Sequence, residues 1–193
     1  MHEALEIRQL DPADIDRVGP LWKALLDHVA TLPDAIVPIR PFEQSWPLER
    51  AQMLDALRND AFVLVARRGE VLVGYAFVRI EDADPVWYTG DRYADLAHLC
   101  VADGQRANGV GSALLDAVDA ELLRRGIDDV QIGVDAANHD ALRLYERRGY
   151  LGDYLVVYGS PGGRPWACLA RDAADRMAGR GRYAPPGSSP EES

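Results

Sequence analysis

The sequence predicts a mixed α/β fold, on three observations. β-rich runs stand at residues 5–10, 61–67, 71–80 and 94–101. Two longer stretches, beginning at Ile15 and Val110, place apolar residues at every third or fourth position, the period of a helix that buries one face. Between them, one strand pattern runs straight into a glycine-bearing turn, Gly104-Gln105-Arg106-Ala107-Asn108-Gly109-Val110-Gly111, that opens a helix.

Taken in order, residues 5–10 alternate as a half-buried strand does. Asp11-Pro12 and Asp14 then start a helix whose face is Ile15, Val18, Leu21, Trp22, Leu25, Leu26 and Val29. Leu32-Pro33 ends it. The proline-rich stretch 33–47 predicts a loop, followed by a second helix with Leu48, Met53, Leu54 and Leu57 inward. Runs 61–67 and 71–80, joined by Arg68-Gly69-Glu70, predict an antiparallel hairpin. Residues 81–93 are polar and turn-rich. The strand at 94–101 feeds the glycine turn, and the next helix, with Val110, Ala113, Leu114, Ala117, Val118 and Leu122 on one face, stops at Gly126. A short strand at 130–134 and a short helix at 138–148, closed by Gly149, follow. Residues 150–158 and 166–170 predict a last strand pair, and from Arg180 the Gly, Pro, Ser and Glu content predicts a disordered tail.

With 193 residues and 48% apolar content, the chain is large enough for one domain with a real core, expected over 1–172 with 173–193 as a tail. Cys100 and Cys168 both lie in apolar runs and are expected as reduced core residues. No apolar stretch approaches the roughly 18 residues of a membrane helix. The first ten residues carry acids where a secretion signal would be basic and then apolar, so the expectation is cytoplasmic, with no membrane partner. A formal charge of −10 argues against nucleic acid and favours cationic partners.

A strand–turn–helix junction aims free backbone N–H groups and the positive end of a helix dipole at one point, and anions bind there. Gly109 and Gly111 let a phosphate approach the backbone, and Arg106 adds a fixed charge. No Gly-Lys-Ser/Thr follows as in a P-loop, and the second spacing of a dinucleotide fingerprint is missing.

Arg106-Ala107-Asn108-Gly109-Val110-Gly111 resembles the R/Q-x-x-G-x-G/A coenzyme loop of the GNAT N-acetyltransferases. The strand 130–134, then Asn138, Ala141, Leu144-Tyr145 and Gly149-Tyr150, resembles that family's second motif. The resemblance spans residues 3–171 and implies a GNAT fold: a mixed sheet of about seven strands flanked by about four helices, with two central strands splayed around acetyl-CoA. It implies acetyl-CoA as co-substrate, no metal, an amine acceptor and, as one assembly among those of relatives, a homodimer. The pyrophosphate would lie on Arg106, Ala107, Asn108, Gly109, Val110, Gly111 and Ser112. The pantetheine arm would pair with Leu99, Cys100 and Val101 and meet Asn138, Ala141 and Tyr145. Asn138 also fits a helix N-cap.

In the same resemblance Tyr145 is the general acid at the coenzyme sulfur. His98 leads as general base, with Asp95 and Glu81 as alternatives. The acids Glu81, Asp82, Asp84, Asp91 and Asp95 would draw a cationic amine, with Trp46, Trp87 and Tyr88 as candidate walls and Trp22 in the core. His28 and His139 are expected to be structural or solvent-facing. The expected reaction is acetyl transfer to a primary amine of a small cationic molecule. A protein or peptide amine as acceptor, or a coenzyme-binding sensor without turnover, are the alternatives.

Overall fold

The computed structural model of the chain describes residues 3–32, 39–84, 86 and 90–152. Its frame is a five-stranded sheet of β1 (Leu5–Gln9), β2 (Phe62–Arg68), β3 (Val71–Asp82), β4 (Arg92–Val101) and β5 (Val130–Gln131), in that spatial order. The first four strands are antiparallel neighbours, and β5 joins β4 in parallel. The strands predicted at 150–158 and 166–170, the tail, and Cys168 fall outside the described residues, apart from Tyr150 to Gly152.

Helices cover both sheet faces. α3 (Val110–Arg125) and α4 (His139–Arg147) lie on one side, where Val110, Leu114, Val118 and Leu122 pack on Leu64, Val78 and Leu96. α1 (Gly19–Ala30) and α2 (Phe42–Ala56) lie on the other, with Leu21 and Met53 packing on Val65, Tyr75 and Phe77. A strand covered on both faces reads as an unbroken apolar run, which is why Phe62 to Ala66 are all buried.

Three elements depart from the sequence expectation. Asp11 caps the first helical segment as expected, its side chain accepting from the Ala13 N–H at 2.9 Å, but Pro12–Val18 is 3-10 helix and α1 begins at Gly19. α2 begins at Phe42, inside the expected loop, and carries Pro47 within it. A proline there removes one backbone hydrogen bond. The loss is offset by packing, since Phe42 and Trp46 stack with ring centroids 6.2 Å apart, and the Trp46 indole lies against Gly19, where a Cβ would meet it at 3.2 Å.

β5 ends at Gln131, three residues early. The cause lies in β4, where Phe77 faces His98 but Val78 faces Leu96, so Ala97 is an extra residue in the ladder. A bulge of this kind bends and twists its strand. β4 pairs with β5 only through Ala94–Val130 and Asp95–Gln131, and from Leu96 to Val101 its outer edge has no strand partner among the described residues.

Candidate active site

The open edge of β4 leads into the glycine turn. Gly104, Ala107 and Gly109 all hold left-handed backbone, with φ of 77°, 60° and 78°. Gly109 is the α3 N-cap and has no side-chain cap bond, so the first-turn N–H groups of α3 face outward. A Cβ at Gly109 would meet nothing within 4 Å, which leaves the approach to those amides open. Gly74 on β3 has the opposite situation: a Cβ there would lie 2.7 Å from the Cys100 carbonyl oxygen and 3.1 Å from Val110 Cγ1, so only glycine lets α3 seat on the strand ends.

Arg106 lies beside the turn, with Nε donating to the Val101 carbonyl at 3.4 Å, Nη2 3.1 Å from Asp103 and Nη1 3.2 Å from His28 Nδ1. Asn108 braces the turn by donating to the Gly104 carbonyl at 3.4 Å. Leu99 and Val101 turn toward the α3 face, where Ala141, Leu144 and Tyr145 of α4 also pack, and a Cβ at Gly111 would meet both Leu144 and Val101. Cys100 points to the α1 face. Its thiol donates to the Leu21 carbonyl at 3.0 Å, and burial pushes it up to about 12, so it stays protonated.

Asn138 caps α4, its side-chain oxygen accepting from the Ala141 N–H at 3.2 Å. Tyr145 is buried against Tyr150, with ring centroids 5.8 Å apart. Burial pushes its hydroxyl up to about 12.

On the α2 side of the β4 bulge is a cavity of about 630 Å³. It brings together three of the sequence-predicted residues, His98, Asp95 and Glu81, and its wall includes Ala97 on one side of the strand gap and Gly133 on the other. Tyr145 is not part of its wall. Of the acids at 81–95, Asp82, Asp84 and Asp91 do not line it either. Trp46 packs against Gly19 and the α1 core instead of forming an acceptor wall. Trp87 and Tyr88 lie outside the described residues.

His98 is 8% exposed. Its Nδ1 is 3.2 Å from the Tyr75 hydroxyl, its Nε2 is 3.4 Å from Glu49 Oε1, and Trp22 packs on the ring with centroids 4.5 Å apart. Burial first, and the Arg79 guanidinium second, push the imidazole down to about 3. The Glu49 carboxylate pulls the other way, and burial outweighs it. Arg79 in turn binds Asp95, with Nε to Oδ2 at 3.0 Å, and lies 3.7 Å from Glu81. Glu49 is a cavity residue that sequence reasoning missed, as are Gln52, Asp55 and Arg79. For Glu49 the available signal was its place one helical turn before Met53, a charged residue on the inward face of α2.

A sheet split beside a bare helix N-terminus, with a polar cavity at the split, defines the class. The chain belongs to the acetyltransferase (GNAT) family, whose profile matches residues 23–150. It is 34% identical over 117 residues to the mycothiol acetyltransferase of Thermobispora bispora, covering 57% of this chain and 37% of that protein. To the mycothiol acetyltransferase of Brachybacterium faecium it is 33% identical over 150 residues, 76% of this chain and 41% of that protein. The chain thus spans about two fifths of the length of these relatives. Among solved structures it superposes on a GCN5-related N-acetyltransferase from Ralstonia eutropha with a TM-score of 0.66 at 20% identity, over 81% of this chain and 99% of that one. It superposes on aminoglycoside N-acetyltransferase AAC(6')-Iy in complex with CoA with a TM-score of 0.65 at 17% identity, over 83% and 97%. At these identities the likeness carries the fold alone. No helix among the described residues is long and apolar enough to cross a membrane.

Proposed function

We propose that the chain transfers the acetyl group of acetyl-CoA to a primary amine of a small cationic molecule, by direct attack of the amine. The observation that carries this reading is the junction of a β4 edge, unpaired among the described residues, with the uncapped start of α3. The two offer what an acyl-coenzyme A needs: strand-like backbone pairing for the pantetheine amides at Leu99, Cys100 and Val101, and convergent N–H donors for the pyrophosphate from Arg106 to Ser112. Bound there, acetyl-CoA supplies a thioester carbonyl for the amine to attack. Asn138 and Ala141 flank the arm from α4.

Tyr145 holds its proton at neutral pH, because its hydroxyl sits near 12, and delivers it to the departing sulfur. The acceptor enters the cavity lined by His98, Asp95 and Glu81, whose carboxylates attract an ammonium group. The name of the sequence relatives, mycothiol acetyltransferase, supports a small molecule as the acceptor.

The test is thiol release from acetyl-CoA across a panel of small amines, with Tyr145→Phe beside the wild type. The expected result is acceptor-dependent release that falls about 100-fold in Tyr145→Phe with coenzyme affinity retained. Firm coenzyme binding without release for any amine would favour the sensor reading instead.

A further inference from the structure

Four carboxylates line the cavity, and three of them are paired with arginine, two sharing the single Arg79. Asp55 lies 3.1 Å from Arg58, Glu81 lies 3.7 Å from Arg79, and Asp95 receives Arg79 Nε at 3.0 Å. Glu49 has no arginine or lysine ion pair among the described residues, and its one charged-type contact is the His98 ring. A proton acceptor has to be deprotonated, within reach of the substrate and free to take a proton, and a carboxylate without a cationic partner meets all three conditions. His98 meets these conditions less well, because Nδ1 is engaged by the Tyr75 hydroxyl, Nε2 already has Glu49 3.4 Å away, and the ring is 8% exposed.

We propose that Glu49 is the group that takes the proton from the acceptor ammonium, with His98 and Tyr75 as positioning residues behind it. The assignment rests on the transferase reading above. Nδ1 lies 3.2 Å from the Tyr75 hydroxyl and Nε2 lies 3.4 Å from Glu49 Oε1, so with the ring proton on Nε2 the Tyr75 hydroxyl donates to Nδ1. The neutral imidazole packs beside one carboxylate oxygen and leaves the rest of the group to the cavity. Burial raises the Glu49 carboxyl above its ordinary value, while Arg79 of β3 opposes this with its charge partly spent on Asp95 and Glu81. A raised carboxyl is a stronger base when ionised. Besides His98, Arg79 and Tyr75, both of β3, interact electrostatically with Glu49.

The balance closes as follows. One proton of the ammonium passes to Glu49 and then to solvent. The free amine forms the C–N bond as the thioester C–S bond breaks. A second proton leaves the acylated nitrogen, matching the one that Tyr145 gives to the sulfur.

The experiment compares wild type with Glu49→Gln across a pH series, using a primary alkylamine and an alkoxyamine, which is already neutral at neutral pH. Expected is a loss of about 100-fold in kcat/KM for the alkylamine at neutral pH, shrinking as pH rises, with little change for the alkoxyamine and an unchanged KM for acetyl-CoA. Tyr75→Phe, which weakens the donor chain, is expected to move the acid limb of the profile to higher pH. Glu49→Gln indistinguishable from wild type, or impaired equally with both amines, overturns the assignment while the transferase reading stands. So does the amine-selective loss appearing in His98→Gln instead. A wild type inert with every amine overturns the transferase reading and takes this assignment with it. Should Glu49→Gln fail to fold, Glu49→Asp carries the same comparison: selective loss with the alkylamine supports the role, and equal loss with both amines ends it.

Discussion

Burial and the neighbouring Arg79 hold the His98 imidazole down at about 3, so this side chain is neutral at neutral pH. That has a consequence for stability. In the unfolded chain the group titrates at 6.5, and in the folded one near 3, so its contribution is complete above 6.5 and is lost as pH falls from there toward 3. Glu49 works in the other direction, since a carboxyl raised by burial costs less as it protonates. Replacing His98 by Gln removes only the first effect. Urea midpoints measured through that pH range should therefore fall more steeply for wild type than for His98→Gln, and parallel curves would remove the buried neutral imidazole from the account. The chemistry of His98 was visible in the sequence only as its residue type. Its strand position and spacing gave no way to see Tyr75 and Glu49 on its two nitrogens, because one comes from β3 and the other from α2.

At the scale of elements, the α3 start was legible because the requirement is local. A left-handed N-cap with no room-filling side chain needs glycine at 109, and the chain writes it there. Gly109→Glu separates folding from binding. Left-handed backbone costs a non-glycine residue about 1–2 kcal/mol. An acid at a helix N-terminus recovers about 0.3–1 kcal/mol of that through the dipole. The net loss of stability should therefore stay below about 2 kcal/mol, yet the carboxylate would occupy the proposed place of the pyrophosphate, and acetyl-CoA affinity measured by calorimetry should fall at least about tenfold. Unchanged affinity would take the turn out of the coenzyme site. α2 was not legible in the same way. Its early start depends on Phe42 stacking on Trp46 and on Trp46 meeting Gly19, contacts between segments that no local pattern announces, while Pro47 gives a local signal of the opposite sense. Glu49 falls inside the predicted helix one turn before Met53, but a glutamate there reads as solvent-facing until the cavity is seen.

For the whole molecule, the sequence motifs foretold a split sheet, and the bulge at Ala97 supplies its mechanics. β1 to β4 form a long continuous ladder with a core on each face, whereas β5 holds to β4 by two residue pairs, and α4 follows from it. Among the described residues the outer edge of β4 has no strand partner from Leu96 to Val101, so fewer backbone hydrogen bonds tie β4 to the β5–α4 side there. A coenzyme arm lying in the gap would pair with β4 and pack on α4 together, joining the two parts. At a hundredfold excess over its dissociation constant, acetyl-CoA should stabilise the protein by about 2.7 kcal/mol, a rise of about 5–10 °C in Tm for a chain of this size. The distribution of that gain is the sharper observable. Hydrogen exchange should slow most at 96–101, 106–112 and 130–147, and hardly at all in β1 and β2, which are paired with or without ligand. Protection spread evenly over all strands, or confined to α1 and α2, would mean that the coenzyme does not lie in the split.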